Sequence, residues 1–141
     1  MTSKQKSIFI TGAASGLGKA TAIHFAKKGW NIGLFDINEK GLDDVAREIG
    51  HNSCMLKKLD VTCQSDWENA SKSFAEYTGG KCDLFFSNAG IANFTGRLED
   101  IPIHESQKII DVNFSGVVKG MYAMLPLLKN TKRSVIVSTS S

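Results

Sequence analysis

Residues 8–18 read Ile8-Phe9-Ile10-Thr11-Gly12-Ala13-Ala14-Ser15-Gly16-Leu17-Gly18. The run begins with consecutive apolar residues and breaks at a glycine, which is typical of a buried strand that ends in a turn. Apolar residues at helical spacing follow, and they stop at Gly29. The run therefore predicts a strand, a glycine-rich loop and a helix that extends from about Gly16 to Lys28.

The same alternation of strands and helices continues along the sequence. Asn38 and Gly50 are placed to begin and end a helix over about 38–49, since Asn is a frequent N-cap and Gly a frequent C-cap. Further strands are predicted at 31–36, 53–59, 83–86 and 135–137, and further helices at about 66–77 and 103–129. This alternation predicts a parallel sheet with right-handed crossovers, and such apolar strands predict burial on both faces. We therefore expect a single α/β domain over residues 1–141.

Composition and charge exclude several classes of protein. Hydrophobic residues make up 42% and charged residues 22%, which is ordinary for a soluble globular chain, and the net charge is only +3. No apolar run approaches the length of about 20 residues that crosses a membrane. The basic residues form pairs rather than a patch, so we expect no nucleic-acid partner and no membrane segment.

The cysteines and the N-terminus bear on the compartment. Cys54, Cys63 and Cys82 are odd in number and lack the Cys-x-x-Cys spacing, so neither a disulfide framework nor a metal site is expected. We expect buried or half-buried thiols instead. The first residues do not form a signal peptide, and we therefore expect a cytoplasmic protein with its natural start.

The glycine loop has the features of a phosphate-binding turn. Gly12 can supply the tight turn, Gly16 lets the backbone approach a pyrophosphate, and Gly18 permits close packing of helix on strand. The helix that follows offers free N–H groups and a partial positive charge. Three glycines alone arise in many turns, but this loop lies between a strand and a helix, as the motif requires. The loop, with Ser15 and Leu17 between its glycines, therefore predicts nucleotide binding.

Asp36 stands at the end of the second predicted strand. This is the position of the acidic residue that binds the adenosine ribose hydroxyls in dinucleotide-binding folds. A carboxylate there repels the 2′-phosphate of NADP, and no arginine follows it directly, so NAD is predicted in preference to NADP. The other interpretation of Asp36 is a loop aspartate near the cap of the next helix.

These motifs occur together with others in a recognisable order. The loop has the form Thr-Gly-x-x-x-Gly-x-Gly, and it is followed by Leu59-Asp60-Val61, Asn88-Ala89-Gly90, Val112-Asn113 and Val137-Ser138-Thr139-Ser140-Ser141. With these five motifs in this order, the chain resembles the short-chain dehydrogenase/reductase family from Lys6 to Ser141. The resemblance implies a doubly wound, Rossmann-type sheet of strand order 3-2-1-4-5.

The resemblance also implies roles for individual residues. Asp60 would hydrogen-bond the adenine amino group, with the Val61 backbone beside it. Asn88, Ala89 and Gly90 would steady the central sheet and pass beneath the nicotinamide-side ribose, although a plain turn is the simpler interpretation of that segment.

Two polar residues resemble members of the family's catalytic set. Asn113 resembles the helix asparagine that holds a water in a proton relay. Ser141 resembles the catalytic serine that hydrogen-bonds the substrate carbonyl, and Ser140 is the alternative if the register slips by one. The long helix is where many members of the family dimerise, so a homo-oligomer is expected by resemblance, although core packing is the other interpretation of its apolar positions.

The sequence departs from the family in one respect. The family's acid/base tyrosine and its lysine four residues later follow the serine, and no such pair follows Ser141. Tyr77 and Lys81 have the right spacing, but Gly79 and Gly80 between them make a shared helix face improbable.

We therefore expect the cofactor-binding, N-terminal portion of an NAD-dependent oxidoreductase, incomplete at its C-terminus and inactive by itself. The complete enzyme would move a hydride between nicotinamide and a small carbonyl or alcohol substrate. The alternative is a non-catalytic NAD-binding module.

Overall fold

The computed structural model describes residues 5–92 and 96–140, and within them the chain forms one parallel sheet flanked by helices. The strands are β1 (Ser7–Thr11), β2 (Asn31–Asp36), β3 (Cys54–Lys58), β4 (Leu84–Ser87) and β5 (Val135–Ser138). The helices are α1 (Gly16–Lys27), α2 (Glu39–Ile49), α3 (Gln64–Thr78), α4 (Ile103–Ile110) and α5 (Gly116–Lys129), with 3-10 turns at His51–Ser53 and Leu98–Asp100.

The strands lie in the order β3-β2-β1-β4-β5, and every pairing is parallel. The predicted Rossmann-type order is thereby confirmed. Ile8 of β1 pairs with Ile32 on one side and with Leu84 on the other. The chain winds in opposite directions from β1, so a crevice opens where the carboxyl ends of β1 and β4 meet, and this is where open α/β sheets bind ligands.

Two apolar layers cover the two faces of the sheet. One is centred on aromatic side chains beneath α3 and α5, and it includes Phe9, Phe35, Trp67, Phe74 and Phe85. The other is aliphatic, lies beneath α1 and α2, and includes Ile8, Ile10, Ile32, Leu34 and Leu42. Successive residues of β1 alternate between the two layers, which accounts for the uninterrupted apolar run in that strand.

Burial on both faces holds for the central strand β1 but not for β5, which the predicted order 3-2-1-4-5 places at an open edge of the sheet. All residues of β1 are buried, whereas all residues of β5 are exposed, with Val135 at 56% and Val137 at 44%. The reason is position, because β5 lies at the edge of the sheet and pairs only with β4 among the described strands.

The long helix predicted over 103–129 is interrupted. Between α4 and α5 the residues Asp111–Ser115 form a π-helical segment, and Pro126 lies inside α5. A π-helical turn holds one more residue than an α-helical turn, so it rotates the side chains that follow it. Within the described residues no helix is both long enough and apolar enough to span a membrane.

Candidate functional site

A cleft of about 1070 Å³ opens at the carboxyl ends of the strands. Its wall includes most of the residues that the sequence motifs indicated: Gly12, Ser15, Gly16, Leu17, Asp36, Asp60, Val61, Asn88, Ala89 and Gly90. These residues come from loops that are far apart in sequence, and the sheet order alone brings the loops together. Gly18 and Asn113 are not on the wall, and Ser141 lies outside the described residues.

The three glycines of the loop meet different physical demands. Gly12 has a φ of 67°, and a Cβ there would lie 3.0 Å from the Ala89 Cα. Gly16 has a φ of 54° and faces open space in the cleft, so a ligand can reach its backbone. At Gly18 a Cβ would overlap the Gly12 carbonyl oxygen, so Gly18 lets α1 start directly against the loop. Gly18 therefore affects the shape of the cleft without lining it.

The N-terminus of α1 is built to receive an anion. Its N-cap, Ser15, makes no side-chain cap hydrogen bond, and the first turn carries no acidic residue. The first helical hydrogen bond runs from the Lys19 N–H to the Ser15 carbonyl, at 3.1 Å. Within the described residues the N–H groups of Gly16 and Leu17 have no backbone acceptor. By contrast, the N-cap of α2 is closed, because the Asn38 side chain accepts from the Gly41 N–H at 3.0 Å.

Asp36 lies at the mouth of the cleft and is half-buried. Its Oδ2 accepts a hydrogen bond from the Ala14 N–H at 3.1 Å, and its Oδ1 accepts one from the Asn38 N–H at 2.9 Å. The carboxylate therefore joins the glycine loop to the turn that precedes α2. Both interpretations of this residue are compatible with the geometry, since it serves the turn before a helix and also faces the cleft.

Asn88 ties three strands together at the base of the cleft. Its Nδ2 donates to the Thr11 and Gly12 carbonyls at 3.3 Å and 3.4 Å, and its Oδ1 accepts from the Thr139 hydroxyl at 2.8 Å. The Thr11 hydroxyl oxygen in turn accepts from the N–H groups of Asn88 and Ala89, at 2.9 Å and 3.0 Å. The carboxyl ends of β1, β4 and β5 are thus held in one hydrogen-bond network. The sequence motifs assigned a role to Asn88, and they included Thr11 without assigning it one.

Asn113 acts on the backbone that follows Gly90. Its Oδ1 accepts from the Ile91 N–H at 2.8 Å, and its Nδ2 donates to the Ile91 carbonyl at 2.7 Å. A Cβ on Gly90 would lie 3.3 Å from the Asn113 Oδ1, so the glycine lets the two segments approach. The carboxamide is therefore occupied by backbone on both of its polar atoms.

Tyr77 and Lys81 do not form a catalytic pair. Helix α3 ends at Thr78, and Gly79 takes a left-handed conformation with a φ of 69°. The Tyr77 hydroxyl lies 3.5 Å from the Asn31 Oδ1. Asn31 is at the amino end of β2, whereas the cleft lies at the carboxyl ends of the strands. Burial raises the pKa of the Tyr77 phenol, which is the wrong direction for a proton acceptor. The end of α3 before Gly79 agrees with the expectation that Tyr77 and Lys81 share no helix face.

One wall of the cleft comes from α4 and the π-helical segment, and sequence reasoning missed it. This wall carries Ile103, His104, Gln107, Lys108, Asp111 and Val112. The Gln107 Nε2 donates to the Asp111 Oδ1 at 3.0 Å, so part of the wall is polar and internally hydrogen-bonded. Apart from Val112, which belongs to the Val112-Asn113 motif, no motif marks these residues, because only the packing of α4 across the crevice brings them to the site.

The chain is similar to many known dehydrogenases and reductases. The family model described as short chain dehydrogenase matches residues 6–141. The uncharacterized oxidoreductase Lmo0432 of Listeria monocytogenes is 38% identical over 143 residues, which cover 100% of this chain and 57% of that protein.

Solved structures give the same result. The 3-ketoacyl-(acyl-carrier-protein) reductase of Brucella melitensis, complexed with NADH, has a TM-score of 0.92 at 30% identity, over 99% of this chain and 58% of that one. The alcohol dehydrogenase of the archaeon Thermococcus sibiricus, complexed with 5-hydroxy-NADP, has a TM-score of 0.89 at 31% identity, over 97% of this chain and 58% of that one. The chain spans about half the length of the curated relatives it matches. Because the family model matches nearly the whole chain, this protein belongs to the short chain dehydrogenase family.

Proposed function

We propose that this chain binds a nicotinamide dinucleotide in the cleft and prefers NAD to NADP. One observation carries the proposal: the open N-terminus of α1 and the Asp36 carboxylate face the same cleft. The helix N-terminus suits a pyrophosphate, because its N–H groups and its dipole favour negative charge. The carboxylate suits the ribose hydroxyls and opposes a 2′-phosphate. Similar structures hold NADH in one case and 5-hydroxy-NADP in another, so the family admits either cofactor.

The remaining predicted residues would hold the rest of the cofactor. We propose that Asp60 and the Val61 backbone bind the adenine, and that Asn88, Ala89 and Gly90 pass beneath the nicotinamide-side ribose. When bound, the cofactor supplies or accepts the hydride, and the protein provides position and electrostatics.

The catalytic roles rest on the family resemblance. We propose that Ser141 orients the substrate carbonyl. The side chain of Asn113 is bonded to Ile91. We therefore propose that Asn113 supports the proton relay through the backbone it positions.

We propose that residues 1–141 are the cofactor-binding, N-terminal portion of an oxidoreductase that acts on a small carbonyl or alcohol substrate. The chain aligns with only 57% of the Listeria oxidoreductase and 58% of the Brucella reductase, and this partial coverage supports the proposal. We also propose a cytoplasmic location, which rests on the sequence alone. We propose a homo-oligomer, because α5 exposes Tyr122 at 77% and Leu125 at 47%, as a helix with a partner would. Light scattering after size-exclusion chromatography tests the oligomer, and a monomer at all concentrations would contradict it.

Calorimetric titration with NAD, NADP and AMP tests the cofactor proposal. We expect NAD to bind more tightly than NADP, and AMP to bind weakly, since it lacks the pyrophosphate bridge and the nicotinamide half. Gly16→Val is the matched loop variant, because its side chain would enter the cleft and strain a backbone of positive φ. It should abolish NAD binding, and undiminished binding by this variant would place the dinucleotide elsewhere.

A further inference from the structure

Asp60 and Thr62 form a compact hydrogen-bonded unit on the wall of the cleft. The Asp60 Oδ1 accepts two hydrogen bonds from Thr62, one from its N–H at 2.9 Å and one from its hydroxyl at 2.7 Å. Both residues line the cleft and are half-buried. Within the described residues only the Oδ1 accepts hydrogen bonds, so the Oδ2 of the same carboxylate is available to a ligand.

The backbone of this turn is fixed independently of the Asp60 side chain. The Asp60 N–H donates to the Asp66 Oδ2 at 2.9 Å, and the Val61 carbonyl accepts from the buried Trp67 Nε1 at 2.9 Å. The Thr62 carbonyl accepts from the Lys119 Nζ, which reaches it from α5. Anchors from α3 and α5 therefore hold the main chain, and the N–H and the hydroxyl of Thr62 hold the carboxylate, of which the hydroxyl is the side-chain contribution.

We propose that Thr62 is a positioning residue that orients the Asp60 carboxylate toward the exocyclic amino group of the adenine and so contributes to recognition of the base. The inference rests on the proposed function, because it assumes a dinucleotide in the cleft. A carboxylate with one oxygen doubly hydrogen-bonded cannot rotate freely about its terminal torsion, so the second oxygen keeps one direction. An acceptor in a fixed direction selects a donor on the base, and adenine presents an amino group where hypoxanthine presents a carbonyl.

A merely structural role for Thr62 gives a different expectation. If the hydroxyl only stabilised the turn, its loss would weaken all ligands of the cleft equally, or lower the melting temperature alone. An orienting role changes the ratio between two ligands that differ only at the base. The ratio of the affinities for NAD and for nicotinamide hypoxanthine dinucleotide is therefore the decisive readout.

The experiment is calorimetric titration of the whole chain with both dinucleotides. Thr62→Val removes the hydroxyl and keeps the shape and the backbone N–H, whereas Thr62→Ser keeps the hydroxyl. The wild type should bind NAD more tightly than the hypoxanthine analogue. Thr62→Val should reduce this affinity ratio about fivefold, because the carboxylate loses one charge-assisted hydrogen bond. Thr62→Ser should retain the ratio of the wild type. In an Asp60→Ala background the same Thr62→Val change should leave the ratio unaltered, because the two residues act as a unit.

Each contrary result has a distinct meaning. A wild type that binds neither dinucleotide overturns the proposed function, and this inference with it. A wild type that binds both equally, or a Thr62→Val variant that keeps the preference or weakens both alike, overturns the inference and leaves the proposed function standing. Melting temperatures are recorded for every variant, with Thr62→Ala as the second hydroxyl-free form. If neither hydroxyl-free variant folds, Thr62 is structural and the inference is wrong.

Discussion

The Asp36 carboxylate accepts a hydrogen bond from the Ala14 N–H at 3.1 Å, across the gap between the end of β2 and the glycine loop. The residue proposed to select the cofactor therefore also holds the loop proposed to bind its phosphates. Substitutions of Asp36 must separate the two effects, since losing the negative charge and losing an acceptor have different consequences.

The first prediction concerns cofactor choice. Asp36→Asn keeps an oxygen acceptor and removes the charge, so it should narrow the preference for NAD over NADP by roughly tenfold, because a like charge near the 2′-phosphate is gone. Asp36→Ala should narrow the preference too, and it should also weaken both cofactors, because the Ala14 N–H loses its partner. Calorimetry measures all of the affinities. Equal affinity of the wild type for NAD and NADP would contradict the role of Asp36.

Much of this part of the site could be predicted from the sequence. The loop Gly12-x-x-x-Gly16-x-Gly18 and the position of Asp36 depend on backbone geometry, which glycine and strand ends mark directly. The bounds of β2 and the Asn38 cap of α2 are confirmed for the same reason, because local chemistry determines them. The second role of Asp36 as a clamp could not be predicted, since it depends on how close β2 brings the carboxylate to Ala14.

The second prediction concerns Thr11, which is 1% exposed and accepts hydrogen bonds from two backbone N–H groups. Thr11→Val should leave those N–H groups without an acceptor and lower the free energy of unfolding by about 2–4 kcal/mol. Thr11→Ser keeps the hydroxyl and should cost less than half as much. Urea unfolding measures both variants. A Thr11→Val chain as stable as the Thr11→Ser chain would show that this network contributes little.

The features that escaped the sequence analysis are all products of tertiary packing. The π-helical segment Asp111–Ser115 is a single turn between two α-helices, so the apolar spacing over 103–129 does not reveal it. The α4 wall of the cleft, with Gln107 and Lys108, likewise depends on where the helix crosses the crevice. The exposure of β5, by contrast, agrees with the predicted strand order 3-2-1-4-5, which puts that strand at an edge of the sheet.

The third prediction concerns pH. Burial raises the pKa of the Cys82 thiol to about 12 from an ordinary value of 9.0. The unfolded chain loses this proton first, so the stabilisation is complete below about pH 9 and is lost as the pH rises toward 12. The difference in unfolding free energy between the wild type and Cys82→Ala should therefore be constant near neutrality and fall by about 1.4 kcal/mol per pH unit above 9.

Urea unfolding across this pH range measures the effect. Cys63→Ala is the matched control for the removal of a thiol, since Cys63 is only half-buried at the N-cap of α3. A difference between the wild type and Cys82→Ala that does not change with pH would mean that the Cys82 thiol titrates normally in the folded chain.

The fourth prediction concerns turnover by the 141 residues themselves. The two tyrosines are Tyr77 and Tyr122, and neither fits the family's acid/base. Tyr77 lies near the amino ends of the strands, whereas the cleft lies at their carboxyl ends. Tyr122 has Pro126 at the position four residues later, where the family has lysine. Lack of a general acid/base typically costs a factor of about 10² to 10⁴. We therefore expect no measurable NADH oxidation against a panel of carbonyl compounds, even where calorimetry detects cofactor binding. Robust turnover that Tyr77→Phe abolishes would restore Tyr77 as a catalytic residue, whereas turnover that survives this change would require a proton donor other than Tyr77.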